Sequence, residues 1–248
     1  MNLGDFLKIE NFETRGYWKL NVAVNGYENS FDNSLVTQVA KGRNFQIIQL
    51  PKMNIDLKLN SQRMKVRLLE DGYLCWLTVS EVLGNAYCIS TWKPNFLNSR
   101  QISECIPKVL EWVRESSQVP NKYLWGGAIG PDFDCSGLVQ AAFSSEGIWL
   151  PRDAYQQEQF CLKVEYSLGS DELLLPGDLV FFGTKARCNH VGIHINRGNY
   201  WHSSGILNGL DGIAMSSLYE NDSVSSYYRS IFRSIGRVYR CHDGTTLP

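Results

Sequence analysis

The chain has 248 residues, 44% of them hydrophobic, 20% charged and 12% aromatic, with 21 Gly and 8 Pro. That composition supplies enough apolar side chain for packed cores and excludes a disordered or collagen-like chain. With 24 Lys and Arg against 25 Asp and Glu the formal charge is −1 and the basic residues are scattered, which excludes the basic stripe that a nucleic-acid partner requires.

Asp5, Lys8, Glu10, Glu13 and Arg15 interrupt the start of the chain, so no apolar signal segment is read there. Elsewhere the apolar runs, such as Leu173 to Leu175 and Leu179 to Phe182, fall far short of the ~18 residues of a membrane-spanning helix. A cytoplasmic protein without membrane insertion is expected. Seven cysteines, at 75, 88, 105, 135, 161, 188 and 241, are odd in number, irregularly spaced and without a C-x-x-C pair. That usage fits reduced thiols rather than a disulfide framework, and leaves open whether one thiol is chemically special.

Up to about residue 85 the chain breaks into short alternating runs: Phe45/Ile47, Leu57/Leu59, and Met64/Val66/Leu68 with Lys65, Arg67 and Glu70 interleaved. Turn residues at Gly42, Asn60-Ser61 and Asp71-Gly72 separate them, and period-two alternation of this length predicts strands of a small antiparallel barrel. From Trp92 to Ser103 periodicity fades among Pro94, Asn95, Asn98 and Ser99, so a linker is placed at 92–103, between a domain at 1–91 and another at 104–248.

Ser103 reads as an N-cap, and Ile106, Val109, Leu110 and Val113 follow at helical spacing to about Glu115. A second helix is predicted from Cys135, with Leu138, Val139, Ala142 and Phe143 on one face, and a third over Arg152 to Gln159. Strands follow at Leu179 to Phe182, His190 to Ile195, Asn199 to Ser203 and Ile235 to Arg240. Helices first and an antiparallel sheet afterwards make an α+β domain.

Alternation across 188–195 puts His190, Gly192 and His194 on one face and Val191, Ile193 and Ile195 on the other. Such histidines are either structural or turned toward a cleft. Cys135 opens its helix behind the Gly-rich run Tyr123-Leu124-Trp125-Gly126-Gly127, a position where free N–H groups and aligned peptide dipoles favour a thiolate. The other reading is a buried small apolar residue. A metal site from Cys188, His190, His194 and His202 is a competitor, although no H-E-x-x-H or C-x-x-C is present.

Taken together and in order, Tyr123-x-Trp125-Gly126-Gly127, Asp134-Cys135-Ser136-Gly137-Leu138-Val139, Leu150-Pro151-Arg152, Pro176-Gly177-Asp178-Leu179-Val180-Phe181-Phe182, His190-Val191-Gly192-Ile193 and Trp201-His202 resemble the NlpC family of bacterial cell-wall cysteine peptidases. The resemblance covers about residues 104–242 and implies a papain-like α+β core. The leading segment looks like the bacterial SH3-like domain that often accompanies it.

The resemblance implies Cys135 as nucleophile, His190 as general base and His202 as the group that orients the imidazole. It implies an oxyanion held by the Cys135 N–H and the Tyr123 hydroxyl, although Tyr123 reads equally as a core-edge aromatic. No cofactor is implied. The implied substrate is a peptidoglycan-derived stem peptide cut between the γ-carboxyl of D-glutamate and a diamino acid. With the SH3-like domain, the implied peptide bears a free N-terminal L-alanine, as in turnover of released fragments.

An ammonium needs acidic or hydroxyl acceptors; Asp134 and Ser136 are candidates beside the nucleophile, and Glu70 and Tyr73 from the barrel. Glu70 and Asp71 read equally as solvated turn residues. Arg152 either pairs a substrate carboxylate or braces the helix start, and Trp125 either walls the pocket or fills the core. The family more often has Ser or Thr after this Arg, where this chain has Asp153-Ala154. Two further readings remain: an inactive protein whose SH3-like part binds wall peptide or a protein, and an acyl-transfer enzyme whose thioester is resolved by an amine or alcohol.

Overall fold

The computed structural model of the protein describes residues 16–50, 62–166 and 173–245. The Leu57/Leu59 alternation, the Asn60-Ser61 turn and the charged start from Asp5 to Arg15 lie outside these residues. The chain forms two compact units, one made by residues up to Pro94 together with those from His242 on, the other by Asn95–Cys241.

The first unit contains β1 (Tyr17–Leu20), β2 (Val24–Tyr27), β3 (Leu35–Val39), β4 (Asn44–Gln49), β5 (Arg63–Leu68), β6 (Leu74–Thr78), the one-turn helix α1 (Val79–Val82) and β7 (Ala86–Ile89). The strands pair antiparallel in the order β3-β2-β6-β5-β4-β1-β7. The alternation read from the sequence sets the inward face: Phe45, Ile47, Met64, Val66 and Leu68 are all fully buried. Val39 and Ala86, from the two outermost strands, share one core with them. A flat seven-stranded sheet cannot bring both its edges into one core, so this sheet curls on itself as the SH3-like expectation requires.

Glu70 and Asp71 are not solvated turn residues. They are 7% and 3% exposed, and Arg43 bridges them, with Nε 3.1 Å from Glu70 and Nη2 2.8 Å from Asp71. Glu70 also accepts from the Asn44 backbone and side-chain N–H groups at 2.7 and 2.8 Å. A buried carboxylate pair is tolerated only with such compensation.

The second unit contains α2 (Ser99–Gln118), α3 (Cys135–Ser145), α4 (Ala154–Phe160), β8 (Leu162–Val164), β9 (Leu179–Gly183), β10 (Cys188–Asn196), β11 (Asn199–Ser204), β12 (Gly212–Ser217), α5 (Ser223–Ser230) and β13 (Phe232–Arg237). The six strands are antiparallel in the order β12-β11-β10-β9-β13-β8. Helix α2 starts earlier than the Ser103 cap predicts. Asn98 accepts from the Gln101 N–H at 3.0 Å while the Gln101 side chain accepts from the Asn98 N–H, a reciprocal capping box. Ser103 instead lies inside the helix with its hydroxyl on the Ser99 carbonyl, and the helix takes in residues 99–103 that the sequence assigns to a linker. The last strand also begins earlier than the expected Ile235, at Phe232.

Both faces of the sheet are covered. Leu179, Phe181, Val191 and Ile193 pack with residues of α2, α3 and α4 in one core, whereas Val180, Phe182 and Tyr200 pack with Tyr228 of α5 in another.

Candidate active site

The site is assembled where the start of α3 meets the middle of the sheet. Asp134 is the N-cap, with extended backbone (φ −83, ψ 177) and a side chain that accepts from the Gly137 N–H at 2.6 Å. The Gly-rich loop then lies directly over the first turn of the helix: a Cβ on Gly137 would overlap the carbonyl oxygen of Gly127. The chain therefore needs glycine at 137 to bring the loop down beside Cys135.

Cys135 is 6% exposed. Its sulfur accepts the backbone N–H of Val191 and lies 4.0 Å from the Asn189 carbonyl, so it touches the strand on either side of His190. The pairing of β10 with β11 runs from Ile193 to Asn196, with a register shift between His194 and Asn196; the thiol takes the Val191 N–H beyond the end of that pairing. Burial first, and the neighbouring Asp134 carboxylate second, push the thiol up to about 12, outweighing the N–H groups of Val191 and Ser136. Burial therefore opposes the thiolate that the helix position alone favours.

His190 and His202 stand on adjacent antiparallel strands, as expected from the Asn196 to Gly198 turn. Nε2 of His190 is 2.8 Å from Nδ1 of His202, and Nε2 of His202 is 3.0 Å from the Ser216 hydroxyl on β12. Gly192 lies between the two histidines along the strands; a Cβ there would come within 2.6 Å of the Tyr200 ring. The 2.8 Å separation is a hydrogen bond, shorter than the about 3.3 Å that two imidazole ligands keep on one tetrahedral zinc. Among the described residues no group of three or more His, Cys, Asp or Glu side chains is gathered for a metal.

A sequence profile described as the NlpC/P60 family matches residues 120–233, and one described as the bacterial dipeptidyl-peptidase SH3 domain matches residues 27–82. Residues 120–233 are an NlpC/P60 domain. Curated relatives include the bifunctional muramidase/DL-endopeptidase CwlT of Bacillus subtilis, 36% identical over 121 residues, which are 47% of this chain and 32% of that protein. The gamma-D-glutamyl-L-lysine dipeptidyl-peptidase of Bacillus cereus is 38% identical over 84 residues, 33% of this chain and 24% of that protein. The gamma-DL-glutamyl hydrolase of Bacillus subtilis is 32% identical over 189 residues, 72% of this chain and 41% of that protein. The chain thus spans less than half the length of each of these relatives.

Within the NlpC/P60 domain the other expected site residues separate into two groups. Asp134, Ser136 and Arg152 are brought together, but on one another. Arg152 is 1% exposed and forks onto Asp134 with Nη1 to Oδ1 at 3.0 Å and Nη2 to Oδ2 at 2.6 Å, while Nη1 also reaches the Ser136 hydroxyl at 3.1 Å. Asp134 further accepts from the Gly126 and Gly137 N–H groups. These contacts tie Arg152 to the start of α3. The carboxylate of Asp134 thus receives donors from the Arg152 guanidinium and from the Gly126 and Gly137 N–H groups.

Tyr123 and Trp125 are not core residues. Tyr123 is half-buried, and its hydroxyl is raised by burial first and by the nearby Cys135 and Asp134 charges next. Its backbone N–H is fixed by Asp211 at 3.0 Å, and neighbouring Asn121 accepts from the Ile213 N–H at 2.7 Å. Trp125 is 70% exposed, which removes the core reading. Tyr73 and Glu70 belong to the first unit; Tyr73 packs against its core and donates its backbone N–H to Asp71 at 3.1 Å.

Ser203, beside His202, donates to the Phe133 carbonyl at 2.7 Å and so ties β11 to the loop that carries Cys135. Ser203 and Ser216 have no motif of their own in the sequence. Their positions follow only from the pairing of β10, β11 and β12.

Burial lowers His202 to about 3 and carries His190 well below the ordinary imidazole value, His202 adding to the latter shift. Both rings are therefore neutral in the fold and protonate near 6.5 in the unfolded chain. The unfolded state then binds more protons below about pH 6.5, so stability is fully present above that pH and is lost as pH falls toward the folded-state values. We expect a loss on the order of 1 kcal/mol per pH unit per histidine below pH 6.5. Thermal unfolding between pH 7.5 and 5 checks it: a falling Tm, with a shallower slope in His202→Gln, is expected, and identical slopes in the two proteins contradict it.

Proposed function

We propose that the NlpC/P60 domain is a cysteine peptidase that hydrolyses the bond between the γ-carboxyl of D-glutamate and a diamino acid in peptidoglycan-derived peptides. One observation carries this reading: the helix-start thiol of Cys135 rests on the strand backbone flanking His190, whose Nε2 is already committed to His202. That leaves Nδ1 of His190 as the nitrogen for the thiol. For it to accept a proton, Nε2 carries hydrogen and donates to Nδ1 of His202, whose Nε2–H donates to Ser216.

The pair rests as thiol and neutral imidazole. As substrate seats its carbonyl, Nδ1 of His190 takes the thiol proton while sulfur bonds to the carbonyl carbon. The oxyanion is received by the Cys135 N–H, one of the helix-start amides without an intrahelical partner, and by the Tyr123 hydroxyl. The imidazolium returns its proton to the nitrogen of the diamino acid as the C–N bond breaks, leaving a thioester. Water then gives a proton to His190 and adds to the thioester carbon, and the sulfur leaves with that proton.

The finer reading, that the peptide has a free N-terminal L-alanine, rests on the second domain. A match described as a bacterial dipeptidyl-peptidase SH3 domain lies at 27–82, and two curated relatives bear the name gamma-D-glutamyl-L-lysine dipeptidyl-peptidase. An enzyme that releases dipeptides needs the amino end of its substrate. The seven cysteines all stand as free thiols, which supports work in a reducing compartment and hence cytoplasmic turnover of released wall fragments. No helix among the described residues is long and apolar enough to cross a membrane.

Cleavage of L-Ala-γ-D-Glu-diaminopimelate and its N-acetyl form, followed by mass analysis, tests both levels. We expect release of the dipeptide from the free peptide, and a loss of kcat/KM of about a hundredfold or more on acetylation, as for a site that pairs a desolvated charge. Equal cleavage of both forms contradicts the free-amine reading, and no cleavage of either contradicts the bond assignment.

A further inference from the structure

One side chain packed on the histidine pair has no part in the chemistry above. Tyr228, on α5, is 1% exposed and lies almost parallel to the His190 imidazole, with ring centroids 4.3 Å apart and planes at 24°. The same ring meets His202 edge-on at 4.9 Å and 87°. Its own position is fixed at the far end: the hydroxyl is 2.6 Å from the Ser204 hydroxyl and accepts from Nδ2 of Asn208 at 3.1 Å. Helix α5 is anchored in turn, with Asp222 capping its first N–H groups and the Ser225 hydroxyl accepting from the Ser217 N–H of β12 at 3.1 Å.

A general base must present one nitrogen to the proton it takes. The bond from Nε2 to His202 fixes one point of the His190 ring, about which the plane can still rock. A stacked aromatic face removes that freedom, because tilting the imidazole either opens a gap on one side or drives its edge into the tyrosine ring. The electron-rich face also favours the imidazolium formed during turnover.

We propose that Tyr228 is a positioning residue for His190, its hydroxyl-anchored ring being the surface that holds the imidazole with Nε2 on His202 and Nδ1 free for Cys135. The proposal rests on the peptidase reading for its kinetic consequence but not for its geometric one. Tyr228→Leu keeps an apolar side chain and removes the flat face; Tyr228→Phe keeps the face and removes the anchor. In Tyr228→Leu we expect kcat to fall about thirtyfold with KM nearly unchanged, and in Tyr228→Phe about threefold.

The second readout is the His190 Nε2–H proton in protein with ¹⁵N-labelled histidine. It is expected as a sharp, slowly exchanging signal in the wild type and in Cys135→Ala, weaker in Tyr228→Phe, and broadened or lost in Tyr228→Leu. Wild-type kcat together with an unaltered signal in Tyr228→Leu overturns the proposal. Should Tyr228→Leu not fold, the double variant Tyr228→Phe/Asn208→Ala decides: a kcat about tenfold lower with a broadened signal supports it, and no change in either overturns it. Full activity of Cys135→Ala would overturn the peptidase reading alone, since the proton signal still decides what Tyr228 does to His190.

Discussion

Cys135→Ala and His190→Ala are each expected to lose about a thousandfold or more of kcat on L-Ala-γ-D-Glu-diaminopimelate, because nucleophile and base act as one unit and neither has a substitute within reach. The double variant should lose little more than either single one. Neither change should unfold the domain. Removing one sulfur from a side chain on the edge of the core leaves the Asp134 cap and its Arg152 brace in place, and His190→Ala removes a ring whose burial is a cost at acidic pH. Steady-state rates with a thermal melt on each variant check this; turnover within tenfold of wild type in either variant contradicts the role given to that residue.

The second large effect falls on stability. Arg152→Met should cost about 3–5 kcal/mol, since it leaves the buried Asp134 carboxylate without its cationic partner while keeping most of the side-chain volume. The salt bridge is short, 2.6 Å, and both side chains are nearly excluded from solvent. Because Asp134 caps the helix that begins with Cys135, the loss should appear in activity as well as in Tm. Asp134→Asn added to Arg152→Met should recover part of the stability by removing the stranded charge. Chemical denaturation of the three variants measures it; a cost under about 1 kcal/mol for Arg152→Met means the pair does not brace the helix start.

Much of this site was legible in the sequence. Cys135 sits behind a Gly-rich loop at the first position of a helix, and that placement needs only local rules: an Asp cap, a following helical stripe, and glycines where the loop must approach. The alternation in β10 and the short turn at Asn196 to Gly198 bring His190 and His202 onto neighbouring strands. Local rules did not extend to the partners of those residues. Read singly, Asp134 is a candidate ammonium acceptor and Arg152 is either a substrate ligand or a brace; only the tertiary structure shows that they pair with each other.

Strand β12 and helix α5 are among the elements that escaped the sequence, for different reasons. Strand β12, Gly-Ile-Ala-Met-Ser-Ser, lacks a sustained apolar alternation, and it is placed by pairing along its whole length with β11. Helix α5, Ser-Val-Ser-Ser-Tyr-Tyr-Arg-Ser, is rich in residues of low helix propensity; its Asp222 cap and the burial of Val224 and Tyr228 hold it. The thiolate that the helix start favours is opposed by burial. A helix start favours thiolate where the sulfur is solvated, but here desolvation and the Asp134 charge dominate.

The most direct measurement is a rapid acid quench of enzyme mixed with excess L-Ala-γ-D-Glu-diaminopimelate, followed by peptide mapping by mass spectrometry. The account predicts an L-Ala-γ-D-Glu acyl group in thioester linkage on residue 135, on none of the other six cysteines, and absent from Cys135→Ala. Dipeptide release without any acyl group on Cys135, or with the acyl group on another thiol, would contradict it.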